Sequence, residues 1–138
     1  MNTRSICTFT LAVAGSLAAG IAAPHSSTDL ADRLAANPTL SARIQGLLPP
    51  GISLQAATAG FHDEGEFIAA LHIARNLNVP FNELSANLSS KRHTLTAALR
   101  DLRPELRTSG INRQVKRAQQ QAKTDIQQAG ELAENTGK

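Results

Sequence analysis

Residues 63–84, Asp63-Glu64-Gly65-Glu66-Phe67-Ile68-Ala69-Ala70-Leu71-His72-Ile73-Ala74-Arg75-Asn76-Leu77-Asn78-Val79-Pro80-Phe81-Asn82-Glu83-Leu84, decide the fold class. Asp63 and Glu66 stand at capping-box spacing, which puts a carboxylate where the free amides of a first helical turn need an acceptor. Phe67, Ala70, Leu71, Ala74 and Leu77 follow at three- and four-residue steps, so the spacing predicts one amphipathic helix over 63–78. Asn78 suits a left-handed terminator, and Val79-Pro80 opens a second helix with the stripe Phe81, Leu84 and Leu88.

Working outward, Leu95, Leu99, Leu102 and Leu106 repeat at helical spacing on the C-terminal side, and a longer pattern follows. Ile111, Val115, Ala118, Ala122, Ile126, Ala129 and Ala133 recur with a mean step of about 3.67 residues, the eleven-residue period of one straight helix. That stripe is mostly alanine and buries little area, so the helix is expected to project from the core, to lie lightly on it, or to need a partner. On the N-terminal side Leu30 and Leu34 begin a helix. Asn37-Pro38 reads as a cap with a first-turn proline ahead of Leu40, Ile44, Leu47 and Leu48, and 53–59 reads as one or two Ala-rich turns. No window alternates as a strand would. The expected fold is all-α, a small bundle of about five to six short helices with a long C-terminal Ala/Gln-rich amphipathic helix. Its core is expected to be Phe61, Phe67, Leu71, Leu77, Phe81, Leu84, Leu88, Leu95, Leu99 and Leu102.

The 138 residues include no Trp, no Tyr, one Cys and four Phe. A chain of this length supports one modest core and leaves little room for an elaborate active site. Phe9 apart, three Phe are the whole aromatic supply, too little for a platform that stacks sugars or bases. Arg4, the apolar run Ile6 to Ala14 and the small residues up to Ala23 have the order of a secretory signal peptide, with a cut expected after Ala22. An uncleaved anchor would need a more strongly apolar stretch, unbroken by Gly15 and Gly20. Cleavage would remove Cys7, so the mature protein would fold without a disulfide in a compartment that permits them. The organisation expected is a signal peptide over 1–22, a flexible mature N-terminus over 23–28, a helical core over 29–107, the long helix over 108–134 and a frayed end over 135–138.

Charge is unevenly placed within the net +3. Residues 29–90 set Arg33, Arg43 and Arg75 against six acids, whereas 91–123 set nine cations against Asp101 and Glu105. Lys91, Arg92, Arg100, Arg103, Arg107, Arg113, Lys116 and Arg117 form a candidate surface for an anionic envelope component or another protein. Arg100, Arg103 and Arg107 fall at helical steps that place them on one face, opposite the leucines. The bland reading of such a run is a solvated helix face.

His62-Asp63-Glu64-Gly65-Glu66 is the densest titratable group. His62 and Glu66 are four apart, as two metal ligands on a helix would be, but no second pair completes a zinc site. A helix cap with acids at its positive end explains the same residues. His72, at the edge of the apolar stripe, reads as a hydrogen-bonded, half-buried histidine that fixes the adjoining turn, with a ligand or pH sensor as the sharper alternative. No phosphate-binding glycine loop, H-E-x-x-H or G-x-S-x-G motif is present. The hairpin 73–84 has the form of a helix-turn-helix, yet from Pro80 to Ser90 it offers no Lys or Arg to meet phosphates, so nucleic acid is not expected as a partner.

The block Gly60 to Leu84, with Gly60-Phe61, Phe67, Ala69-Ala70-Leu71-His72, Asn76-Leu77, Pro80-Phe81 and Leu84, resembles small exported bacterial helical proteins of unknown function. The resemblance covers residues 54–128. It implies a bacterial source and export, and it points to Phe61, Phe67, Ala70, Leu71, His72, Asn76, Leu77, Pro80, Phe81 and Leu84 as the set that defines the fold. It brings no activity and no catalytic residue, and the acidic 63–66 run departs from the more amide-rich form of that pattern. The function expected is therefore a non-enzymatic binding or structural module, periplasmic or extracellular, with no cofactor, no metal and no membrane span after processing. The alternative is a minor hydrolase or metal-dependent enzyme using His62, Glu64 and Glu66.

Overall fold

A computed structural model describes residues 27–91 and 94–136, which form seven helices and no strand. The expected signal peptide and most of the expected mature N-terminus lie outside these residues, as do Arg92 and His93. The helices are α1 (Ser27–Ala36), α2 (Pro38–Leu47), α3 (Leu54–Thr58), α4 (Glu64–Leu77), α5 (Phe81–Lys91), α6 (Leu95–Leu102) and α7 (Thr108–Thr136).

Each break between them has a local cause. Asn37 caps α2 by accepting from the Leu40 amide at 3.1 Å, and Pro38 occupies the first position, where no amide is missed. Ser53 caps α3, and Asp63 caps α4 by accepting from the Glu66 amide at 2.8 Å. Asn78 ends α4 in the left-handed region at φ 51°, and the Val79 amide then donates back to the Ala74 carbonyl at 2.9 Å. That tight reversal sends the chain into α5, whose Phe81, Leu84 and Leu88 are buried.

Three phenylalanines form the centre. Phe61 and Phe67 meet edge to face at 5.3 Å between centroids, Phe67 meets Phe81 the same way at 6.2 Å, and Phe61 stacks on Phe81 at 6.2 Å. All are distances at which aromatic pairs attract beyond simple area burial. The helix α4 runs through the middle of the molecule, and its residues 67–71 are buried without interruption. Burial on every side explains why Ile68, Ala69 and Ile73 join the core although they lie off the stripe read from the sequence. Of the ten core residues expected, Leu77 and Leu102 are only half-buried and pack against the rim, while the other eight are buried. Among the described residues, no helix is long and apolar enough to cross a membrane.

One expectation is corrected, and one question left open by the sequence is decided. The Leu95–Leu106 stripe is not one helix, because α6 stops at Leu102, ahead of Pro104, whose ring disfavours a helical residue before it. Leu106 reaches the core from the connecting turn instead. Of the arrangements open to the long helix, it packs on the core for most of its length. Its Ile111, Val115, Ala118, Ala122 and Ala129 are buried, and α7 packs along α4 more extensively than any other pair of helices. Alanine contributes little area, but its small side chain lets the two backbones approach, and polar bonds across the seam add to the contact. Past Ala129 the helix does extend beyond the body, and residues 130–135, Ala133 included, are exposed.

Candidate functional site

The polar seam between α4 and α7 is the most developed side-chain network of the described residues. The antiparallel pairing of the two helices sets His72 against Asp125 and, one turn along, Asn76 against Gln121. The Nε2 of His72 donates to Oδ2 of Asp125 at 2.7 Å, and Asn76 donates to Gln121 at 3.0 Å. Arg43 of α2 closes the group, donating to Oδ1 of Asp125 at 2.8 Å and to Gln128 at 2.7 Å. The His72 and Asp125 side chains are only 12% and 14% exposed. They border a small cleft of about 280 Å³ with Arg117, Gln120, Gln121 and Thr124. A carboxylate with both oxygens bonded within the protein serves first to fasten α7 to the bundle. His72 is half-buried and hydrogen-bonded as expected, but its bond runs to α7 and not to the adjoining turn, and the partner was invisible in the sequence, since 53 positions separate the two.

A second feature is an open groove of about 790 Å³ between the N-terminal ends of α4 and α6 and the middle of α7. Leu95, Val115 and Ile126 form its apolar floor, while Asp63, Glu64 and Glu66 lie along one rim and Lys123 on the other. Burial holds the Glu64 carboxyl above its ordinary pKa; the nearby Arg33 cation opposes this, and Asp63 adds to it. His62 is exposed and is not among the lining residues, so the structure does not bring the expected His62/Glu64/Glu66 set together around this groove. Among the described residues, no group of three or more His, Cys, Asp or Glu is placed to hold a metal.

The candidate basic surface is partly rearranged. Arg100, Arg103 and Arg107 do not share a helix face, because α6 ends between the first two. Arg103 is instead a structural tie: it donates to the Leu77 carbonyl at the end of α4 and pairs with Glu105 at 3.1 Å. The Lys91 and Arg92 side chains lie outside what is described. Arg100, Arg107, Arg113, Lys116 and Arg117 are exposed, the last three on the outer side of α7 together with Lys123. None of these four α7 cations has an acid three or four residues away, whereas Arg113 has both Lys116 and Arg117 at those steps. Such like-charge pairs cost a helix about 0.2–0.5 kcal/mol each.

No family model, no curated protein and no solved structure matches this chain.

Proposed function

We propose that the protein is a small exported binding module, acting in the periplasm or outside the cell without catalytic chemistry, and that the outward face of α7 is its contact surface. The observation that carries this reading is the charge pattern of that face. Arg113, Lys116, Arg117 and Lys123 are exposed and unneutralised within their own helix. Arg107 just precedes the first turn, at the helix end that disfavours a cation. A surface shaped only for solubility gains nothing from this arrangement, while an anionic partner would offset it.

The purified protein should be retained by vesicles containing anionic phospholipid, used as a probe of the face, and not by neutral ones. Retention should fall in R113Q/K116Q/R117Q and at about 0.5 M salt, where the screening length is a few ångströms. Equal retention of wild type and variant would refute the reading.

The groove favours a second reading, an apolar cation held between the Asp63, Glu64 and Glu66 rim and the Leu95, Val115 and Ile126 floor. Its volume is within the range of small-molecule sites, about 300–1,000 Å³. A long-chain alkylammonium probe should bind the wild type more tightly than E64Q/E66Q. The enzymatic alternative draws no support from the position of His62; a stoichiometric transition metal in the purified protein would revive it.

A further inference from the structure

The exposed side of α7 carries more order than a cationic patch. Arg113, Lys116, Gln120, Lys123, Gln127, Glu131 and Glu134 follow one another at three- and four-residue steps and so form a single stripe, all of it exposed. Its first half is cationic and its last turns are acidic. Reversing the stripe about the point between Lys123 and Thr124 exchanges Arg113 with Glu134, Lys116 with Glu131, and Gln120 with Gln127. Every charged position at the two ends then meets the opposite sign, and amide meets amide between them. Lys123 falls against Thr124 beside the axis, close to its own copy, where like charge weakens the centre of the contact.

The geometry points to a second copy of this chain as the partner of this face, its α7 laid antiparallel against the first across a two-fold axis. This rests on the reading of the α7 face as a contact surface and names what it contacts. In the pair, Arg113 and Lys116 of each chain face Glu134 and Glu131 of the other, and Gln120 and Gln127 exchange amide hydrogen bonds near the axis. A two-fold contact of this kind uses one patch twice, so the patch must be complementary to itself. A solvated face has no reason to satisfy that condition.

Two further observations agree. The helix continues through residues 130–135 although they are exposed, so these turns draw little support from the core. Glu134 stands in the last turn, where the carbonyl end of the helix disfavours an acid. An antiparallel neighbour supplies that overhang with cations and opposes the two helix dipoles. The contact is polar and about 31 Å long between its outermost charges, so the dimer is weak, dependent on concentration and sensitive to salt. Lys123 and Gln127 also edge the groove beside Leu95, so the second copy would flank the groove's mouth.

Sedimentation equilibrium tests this at low salt across a range of concentrations. The wild type should dimerise, and about 0.5 M salt should return it to monomer by screening. R113E/K116E and E131K/E134K should each lose at least about tenfold in self-affinity, because each sets like charges against each other. An equimolar mixture of the two should associate again, and so should the fourfold variant R113E/K116E/E131K/E134K. These positions are exposed, so unchanged circular dichroism checks that folding is intact. A wild type that stays monomeric, or a dimer indifferent to either reversal, overturns the pairing. If the wild type is monomeric while vesicle retention still depends on Arg113, Lys116 and Arg117, the partner is an anionic surface and only self-pairing falls. Loss of both effects removes the contact-surface reading as well.

Discussion

His72 on α4 and Asp125 on α7 meet at 2.7 Å, both largely sequestered from solvent, and the second oxygen of the same carboxylate holds Arg43 of α2. One side chain thereby joins three helices. Replacing Asp125 by Ala strands the His72 N–H in a site where water replaces the lost partner poorly. The cost expected is about 1.5–3 kcal/mol, the range for hydrogen bonds to a charged group. Urea unfolding of D125A, read as a shift in midpoint at unchanged slope, measures it.

Arg43 should matter less. Its side chain is 34% exposed, and an ion pair open to water contributes about 0–1 kcal/mol. R43A is therefore expected to lie well above D125A in urea midpoint. The double variant should cost less than the sum of the two, since both singles break the same Arg43–Asp125 contact. Strict additivity would show that the Arg43–Asp125 contact contributes nothing measurable.

Phe67 is fully buried and touches both other aromatic rings of the core. Phe67→Ala empties the middle of the cluster and should cost about 3–5 kcal/mol. That is a large part of the whole stability of a small domain, commonly about 5–15 kcal/mol. A thermal melt indistinguishable from wild type would show that the cluster does not hold the helices together.

The helices were legible in the sequence wherever a boundary is made by a residue's own backbone chemistry: Asp63 as a cap, Asn78 as a left-handed terminator, Pro38 in a first turn. The site was legible only in fragments. Arg100, Arg103 and Arg107 have helical spacing, but spacing does not reveal that Pro104 breaks the helix and frees Arg103 to reach the Leu77 carbonyl. His72 could be read as half-buried from its place beside the stripe. Its bond to Asp125 depends on how α7 lies along α4, a matter of tertiary packing that no local pattern encodes. The placement of the alanine stripe stays open in the sequence for a related reason: buried area alone does not decide it, while small side chains and a polar seam allow close contact.

Gly60 has a backbone φ of +90°, and a Cβ added there would meet Oγ of Ser89 at 2.0 Å and its Cβ at 2.8 Å. Gly60→Ala thus combines a conformation that L-residues avoid with a collision against α5. The first effect costs about 1–2 kcal/mol and the second about 1–3 kcal/mol. The two can be separated, because Ser89→Gly removes both clashing atoms and leaves the backbone strain. G60A/S89G should recover part of the loss relative to the S89G single, as read from melting temperatures. Full recovery would mean that the positive φ carries no cost.

Glu64 gives the fold a dependence on pH that can be signed in advance. Burial raises its carboxyl pKa above the ordinary 4.5, with Arg33 opposing and Asp63 assisting. In the unfolded chain the group titrates near the ordinary value, so between the two pKa values the folded protein binds more protons than the unfolded. Stability contributed by this group is therefore fully present below about 4.5 and declines as pH rises through the folded value. Glu64→Gln removes the penalty of burying a charge. The variant should match wild type under acid conditions and gain on it above that window, by about a few tenths of a kcal/mol, because the side chain is only half-buried. Paired urea titrations at about pH 3 and pH 7, on either side of the ordinary carboxyl range, test this. A gain that is larger at the acid pH would reverse the sign and show that the carboxylate, not the neutral acid, is what the groove rim favours.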